Sequence, residues 1–596
     1  MASEEVDTDE YEEVEDFWGT VRRWIAGWIV VTLVFWAVAG GYMAYSAQKH
    51  ARNGERALRT AADVMETDDL ADVDFGEVEA SLVAGESELK EARSSIDSLV
   101  LRAMGPIPVV GRHLASARAL IHTSHDVAMA LTPVVSSARQ AQDDPNGLDR
   151  VAFLAATSQQ LAVLESTVSN ADLGPEQNLV GPLSDGRAEL EEQLADMALK
   201  ASEYRVITLG LGSFLAGSEY VLLGANNAEM MLASGMHLSV GQLTVSDGEF
   251  ELPGLTPSAA FFPVEAASAV DEDVTGRWGS LKPENDFRKL SYSARFDEFT
   301  GPQAIETWRA ATGREVDGAI AVDPFVLDAL LDVLGGVEVD GIAYSSGQAL
   351  AYLLQDQYAE FDKSETQERR DRLSELATAV VEKFGDTSWD PVELISALKP
   401  LARGRHILVY STDPVEQRAW DQLGVSGTLT GNETGVFLLN LGGAKLDPFF
   451  DMSVDAEIVE EPGGGYEVTY EIRIRNRAPA SGLPQYTTGP WESLGLPSAG
   501  TYVGQVAVYA PGFIVEAGFV DGHDQVVFGP DGRVLVVATA SFELSPGDEE
   551  RLRFRYRLPP NAPPLRLVPS ARFPSVNWTW ADEAFNDSVA RSLEVE

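Results

Sequence analysis

The sequence predicts a multidomain α+β chain: one transmembrane helix, a helical stalk or bundle, an α/β sandwich and a C-terminal antiparallel β-sandwich. Three patterns carry this expectation. Trp24 to Ala47 holds no charged side chain, two later stretches repeat apolar residues at alternating spacings of three and four, and the final stretch alternates apolar with polar residues. At about 150 residues per domain, 596 residues make roughly four units. The implied divisions are an acidic cytoplasmic tail over 1–23, the membrane helix over 24–47, the stalk over 48–205, the α/β domain over 206–450 and the β-sandwich over 451–596.

Composition narrows the function classes. The chain is 45% hydrophobic and 9% aromatic, which is globular rather than disordered. Its 93 acidic residues against 44 basic ones give a net charge of −49. Nucleic-acid affinity comes from Lys and Arg neutralising phosphates, so DNA and RNA are excluded as partners. The absence of cysteine removes disulfides, thiolate metal sites, iron–sulfur clusters and cysteine nucleophiles.

The membrane helix is argued from length. Trp24 to Ala47 would span about 35 Å at 1.5 Å per residue, enough for a hydrocarbon core of about 30 Å. Trp24 and Trp28 mark one end, Tyr42 and Tyr45 the other. A cleaved signal peptide would need a shorter apolar run and a basic lead, whereas the first sixteen residues hold nine acids and no base. Flanking bases (Arg22 and Arg23 before, Lys49, Arg52, Arg56 and Arg59 after) lean towards a cytoplasmic bulk, but long domains translocate largely regardless of such counts.

The stalk rests on two seams. Val78, Leu82, Gly85, Leu89, Ala92, Ile96 and Leu99 form the first, and Leu190, Leu194, Met197, Ala201 and Tyr204 the second. Such spacing lines one narrow stripe of a helix. The Gly105–Arg112 segment is expected to break one helix, and Gln142–Asp149 is a polar turn. Packing within one chain and a homodimeric coiled coil are the two arrangements this pattern allows.

In the α/β region, a short strand at Tyr220 precedes a hairpin around Asp247-Gly248. Ala319–Asp323 is a buried strand, Pro324 opens a helix through Leu334, and Gly335-Gly336 ends it before another strand. Ser346 is expected to cap the following helix, and a charged helix should run from Ser364 to Lys383. A strand at Arg405 leads to a helix begun by Asp413-Pro414. After Asp451 only period-two segments and Gly/Pro turns remain, which makes a β-sandwich of about 145 residues.

Enzyme motifs are scarce: no P-loop, GxGxxG, HExxH or GxSxG occurs. His122 and His125 share a helix face without an acidic pair in register, and Asp143, Asp144, Asn146 and Asp149 lack the loop of a Ca²⁺ site, so no metal site is expected. Two clusters stand out. Asn226, Asn227 and Glu229 directly follow a buried strand, where α/β sheets bind ligands, although Asn also forms structural turns. Arg369, Arg370 and Arg372 could grip a phosphate or carboxylate, or simply pair along the helix with Glu365 and Glu368.

Those residues carry a family resemblance. YVLLGANNAEMMLASGMHLSVGQLTVSDGEFEL, TGREVDGAIAVDPFVLDALLDVLGGVEVDG, SSGQALAYLLQDQYAEF, HILVYSTDPVEQRAWDQLGVSG and FLLNLGGAKLDPFF occur in the order of a bacterial envelope family, "domain of unknown function four-zero-one-two", which the chain resembles. The resemblance implies that the bulk of the chain lies outside the cytoplasmic membrane. VDGAIAVDPFVLDALLDVLGGVEV with GQALAYL is also similar, more faintly, to LytR-CpsA-Psr phosphotransferases, which implies a mixed sheet and a polyprenyl-pyrophosphate site with Mg²⁺. That family's Arg-Ser-Asp-Thr segment corresponds here to Asn226, Asn227, Ala228 and Glu229. Its arginine after the AY pair is replaced by Leu354 following Leu353, and Arg369 with Arg372 keep the Arg-x-x-Arg spacing. Fewer cations would weaken neutralisation of a pyrophosphate.

The expected function is therefore a single-pass, extracytoplasmic protein with a binding or structural role at the cell wall or surface. Its ligand candidates are Asn226, Asn227, Glu229, Arg369 and Arg372. No cofactor is expected, except Mg²⁺ if the chain is a phosphotransferase attaching polyprenyl-pyrophosphate-linked glycopolymers. The expected partners are the cytoplasmic membrane and a cell-wall glycopolymer or polyprenyl-linked lipid. An oligomeric surface assembly through the stalk or β-sandwich is the third possibility.

Overall fold

A computed structural model describes the chain from Val73 to Val595, apart from residues 99–100, 103–105, 107, 145–147, 233, 265–270, 279–285, 361–365, 387–388, 490–497 and 521–525, with scattered positions between 50 and 64. The expected membrane helix at 24–47 and the acidic tail lie outside the described residues. Among the described residues no helix is long and apolar enough to cross a membrane.

Contacts divide the chain into two compact units. The helical unit contains α1 (Phe75–Ile96), α2 (Pro108–Asp143), α3 (Arg150–Ser169) and most of α4 (Gly181–Ala216). Asp74 caps α1 by accepting from the Glu77 amide at 3.0 Å, and Asp149 caps α3 from Ala152 at 3.0 Å. The α1 seam from Val78 to Ile96 is buried throughout, as are Leu190, Leu194, Met197 and Ala201 of α4. Leu82 and Leu89 share one core with Leu131, Leu164 and Leu190. The stripes therefore face partners in the same chain, because each helix has only one apolar side to bury.

Of the residues considered as metal ligands in this unit, His122, His125 and Asp143 have other partners, and Asn146 lies outside the described residues. His122 Nε2 lies 2.9 Å from Asp97, His125 Nδ1 3.3 Å from Asp126, and Asp143 pairs with Arg139 at 3.0 Å.

The second unit comprises Ser213–Thr387 and Ala397–Glu596. Its first sheet holds β1 (Gly217–Met230), β2 (Gly235–Ser246), β3 (Glu249–Glu251), β4 (Gly318–Val322) and β5 (Ile407–Ser411), in the order β3-β2-β1-β4-β5. Only β1 and β4 run parallel, so the sheet is mixed. Asp247 and Gly248 both have positive φ (51° and 80°), the tight turn that the Asp-Gly pair predicts. Gly318 is irreplaceable in β4, since a Cβ there would lie 2.2 Å from the Tyr220 ring.

Helix α5 (Pro324–Leu334) begins at Asp323, which accepts from the Phe325 amide at 3.0 Å, and ends at Gly335 with φ 75°. Ser346 does not cap the next helix. That helix starts at Gln348, and Asp328 of α5 draws the Ser346 hydroxyl (3.3 Å) and the Gly347 amide (2.6 Å) away from it. It then widens into a π-turn over Tyr352–Asp356. Helix α6 spans Thr366–Asp386, and α7 (Pro414–Gln422) is capped by Asp413.

Two further sheets share a core that includes Val436, Leu438, Val454, Ile472, Val506 and Phe554. One contains β6 (Glu433–Asn440), and the other β7 (Phe450–Glu460) with β8 (Tyr466–Asn476). The expectation of a purely antiparallel sandwich is corrected: β6 runs parallel to Leu565–Leu567 and β7 parallel to Asn577–Trp580. Long returns of the chain insert these late strands beside early ones. The β6 sheet is also covered on its other face. Phe437, Leu439 and Tyr509 there pack against Met231, Leu232 and Trp278 of the α/β region. This is why all eight residues of β6 are buried.

Leu82→Ala should lower the stability of the helical unit by about 2–5 kcal/mol. Val83→Ala, at a side chain 49% exposed, should change it by less than about 0.5 kcal/mol. Native-state hydrogen exchange of the α1–α4 amides measures both.

Candidate functional site

Strand β1 ends irregularly. Its register with β2 slips between Gly224 and Ala225 and again between Asn226 and Met230. Asn226, Asn227 and Glu229 therefore sit in a bulged strand end, not in a turn beyond the strand, and the bulge re-aims their side chains. Asn226 donates to the Tyr358 hydroxyl at 2.9 Å while its oxygen accepts from the Ala228 amide at 3.0 Å. Asn227 points elsewhere and donates to Asp323 and to the Ala571 carbonyl, both at 2.7 Å. His406 Nδ1 shares the same Asp323 oxygen at 2.6 Å.

Glu229 forms an ion pair with Lys445, and both side chains are only 5% exposed. Lys445 comes from the loop after β6. Two residues further on, Asp447 accepts from the Met230 amide (3.0 Å), Asn440 (2.7 Å) and Tyr502 (2.9 Å). Burial pushes the Lys445 ammonium down to about 7, with Asp447 pulling the other way. Direct contact with the Glu229 carboxylate favours the charged form of the lysine.

Arg369, in the first turns of α6, is 6% exposed. It donates to Gln357 at 2.8 Å and to the Tyr486 hydroxyl at 3.0 Å. Its guanidinium lies 5.6 Å from the Tyr358 ring centre and 5.2 Å from that of Tyr486, and these two rings stack at 5.8 Å. Among the described residues no carboxylate lies within 4.0 Å of it. The π-turn before Gln357 sets the direction of Gln357 and Tyr358 towards Arg369. Burial pushes the Tyr358 phenol up to about 12, so it stays a neutral hydrogen-bonding group.

These side chains line one cavity of about 790 Å³. The cavity brings together Asn226, Glu229 and Arg369 of the sequence-derived candidates. Asn227 lies behind the wall, and Arg370, not Arg372, takes the second arginine position in it. Lys445, Tyr358 and Tyr486 belong to the site but were not anticipated. The lone lysine in the apolar stretch FLLNLGGAKLDPFF is the signal that could have found Lys445; the tyrosines carry none, since their role depends on long-range contacts. Among the described residues no three His, Asp or Glu side chains converge as metal ligands.

Chemically, the wall presents a buried guanidinium satisfied by neutral partners, beside an internally compensated ion pair. Such a surface can take up an anionic group.

Residues 217–358 match the family model described as "Protein of unknown function (DUF4012)", which bears out the resemblance over that stretch. No curated protein matches the chain.

Glu229→Gln should cost about 3–5 kcal/mol, because it leaves the Lys445 ammonium buried without its partner. Burial, with the carboxylate gone, holds the lysine in the folded state below the ordinary 10.5 that it keeps in the unfolded chain. The unfolded state then binds more protons between the lowered value and 10.5, so stability should rise as the pH increases towards about 10. Urea unfolding at a series of pH values measures both effects.

Proposed function

We propose that this chain is a membrane-tethered, extracytoplasmic protein of the cell envelope whose α/β region binds an anionic envelope ligand. The observation that carries the reading is an inversion of charge. The cavity wall holds five basic residues (Arg288, Lys289, Arg369, Arg370, Lys445) and two acidic ones (Glu229, Asp323), whereas the whole chain has 44 basic and 93 acidic. A basic cavity inside so acidic a chain supports recognition of an anion. Arg288 is already neutralised by Asp286 at 2.7 Å and Lys445 by Glu229; of the other three, Arg369 is the buried one and serves as the anchor. A wall glycopolymer or a polyprenyl-linked lipid, both bearing phosphate, suits that chemistry.

The tether rests on the uncharged run from Trp24 to Ala47, and the outward placement on the family resemblance. Arg369 in the wall also favours the alternative, a Mg²⁺-dependent phosphotransferase related to the LytR-CpsA-Psr enzymes. Turnover of a polyprenyl-pyrophosphate donor with Mg²⁺, lost in Arg369→Ala, would replace binding by transfer as the function.

Butyl phosphate should bind the purified full chain, and Arg369→Ala should weaken it at least tenfold while Arg369→Lys weakens it less. Isothermal titration measures this; equal affinity in all three proteins would remove Arg369 from the site. Protease added to intact cells with an exposed membrane surface should digest everything beyond the tether. Full protection until lysis would place the bulk on the cytoplasmic side.

A further inference from the structure

The cavity extends well beyond what an anionic group fills. On α6, Leu373, Ala377, Val380 and Val381 follow Arg369 by four, eight, eleven and twelve residues, so all share its helix face and all line the wall. Twelve residues of α-helix measure about 18 Å. The facing wall is α5, through Val326, Leu327 and Leu330. The two helices run in the same direction: Asp323, at the start of α5, lies in the wall with Arg369, and the carbonyl of Gly335 at its end accepts from Lys383 near the end of α6 at 2.8 Å. The β2–β3 hairpin closes the third side. Leu255 just beyond it is pinned to Ser374 of α6 at 2.7 Å, and Phe250 meets Phe384 at 5.0 Å between ring centres.

Along α6 the cavity is therefore a slot whose charge lies at the Arg369 end. Beyond Arg369 and Arg370, the α6 side of the slot carries only Leu, Ala and Val. A compact anion would leave that apolar wall uncovered, and a cation or a second charge further along would find no partner on it. We infer that the ligand is a single-chain amphiphile, with its anionic head on Arg369 and its apolar tail lying lengthwise along α6. This rests on the anion-binding reading above and adds the tail to it. The head chemistry that Arg369 accepts is shared by alkyl phosphates and fatty carboxylates.

The test is titration of the full chain with butyl, octyl and dodecyl phosphate below their micelle concentrations, with dodecanoate and dodecanol alongside. Affinity should rise about fourfold per added methylene until the tail outruns the slot. Dodecanoate binding more tightly than dodecyl phosphate would assign a carboxylate head, weaker binding a phosphate head; dodecanol should bind at least tenfold more weakly than either. Ala377→Trp should remove the gain from chain length while leaving butyl phosphate within about twofold. Should that variant fail to fold, Leu327→Gln in the opposite wall serves the same purpose. If butyl phosphate binds but longer chains gain nothing, the tail assignment falls and the anion site stands. If no phosphate binds at any length, both fall.

Discussion

The site depends on one buried carboxylate. Asp447 is fully enclosed and accepts hydrogen bonds from the Met230 amide, Asn440 and Tyr502, with Arg572 at 4.0 Å. Burial raises its pKa, while Arg572 and the hydrogen bonds hold it down. A lone charge in that position would be prohibitive; these partners together repay its desolvation. In doing so they tie the end of β1, an element of the α/β sheet, to the end of β6, an element of the sandwich. Glu229 directly precedes Met230 and Lys445 lies two residues before Asp447, so the same knot brings the cavity's ion pair into contact. The geometry of the pair is thus inherited from a structural carboxylate outside the cavity wall.

That knot also explains why the α/β region and the sandwich form one compact unit. The β6 sheet has a core on each face, one shared with the β7–β8 sheet and one with Met231, Leu232 and Trp278. A sheet covered on one side by strands and on the other by an α/β layer cannot lose either cover without exposing apolar rows. Arg572 and Ala571, far along the chain, reach back to Asp447 and Asn227 for the same reason. The cavity is built from segments as distant as Asn226 and Tyr486 because the layer holding it is completed only by the last part of the chain.

What the sequence disclosed follows from the range of the interactions involved. The α1 and α4 seams, the Asp247-Gly248 turn, the Asp323 and Asp413 caps and the Gly335 stop are all local, and each is fixed by residues within a few positions. Ser346 misled because Asp328, eighteen residues earlier, competes for its hydroxyl. The ANNAE segment looked like a turn because Asn favours turns; pairing with β2 carries β1 into it and leaves a bulge instead. Strand β6 reads as a continuous apolar run, the mark of burial on both faces, but no local pattern says which sheet it joins. In the cavity, Asn226, Glu229 and Arg369 were legible as unusual residue types in context. Tyr358, Tyr486 and Lys445 acquire meaning only when three distant segments meet.

The electrostatics of the chain set the terms on which the cavity can work. A net charge of −49 repels anions at long range, and at physiological salt that field decays over about 8 Å. An anionic ligand therefore gains nothing from steering and must be held by contacts made after entry. Arg369 provides them at low dielectric, where a guanidinium flanked by two tyrosine rings and a glutamine amide is far more strongly felt than an exposed lysine. Neutral partners satisfy part of its hydrogen-bonding capacity without cancelling its charge, whereas the neighbouring Lys445 is cancelled by Glu229. Of the two buried cations in the wall, Lys445 is thus neutralised and Arg369, among the described residues, is left effective. A site intended only for stability would have paired both or replaced both with apolar side chains. Keeping a single buried charge at the head of an apolar slot sacrifices some stability of the empty protein, and that loss is recovered only when an anion with an apolar tail fills the space.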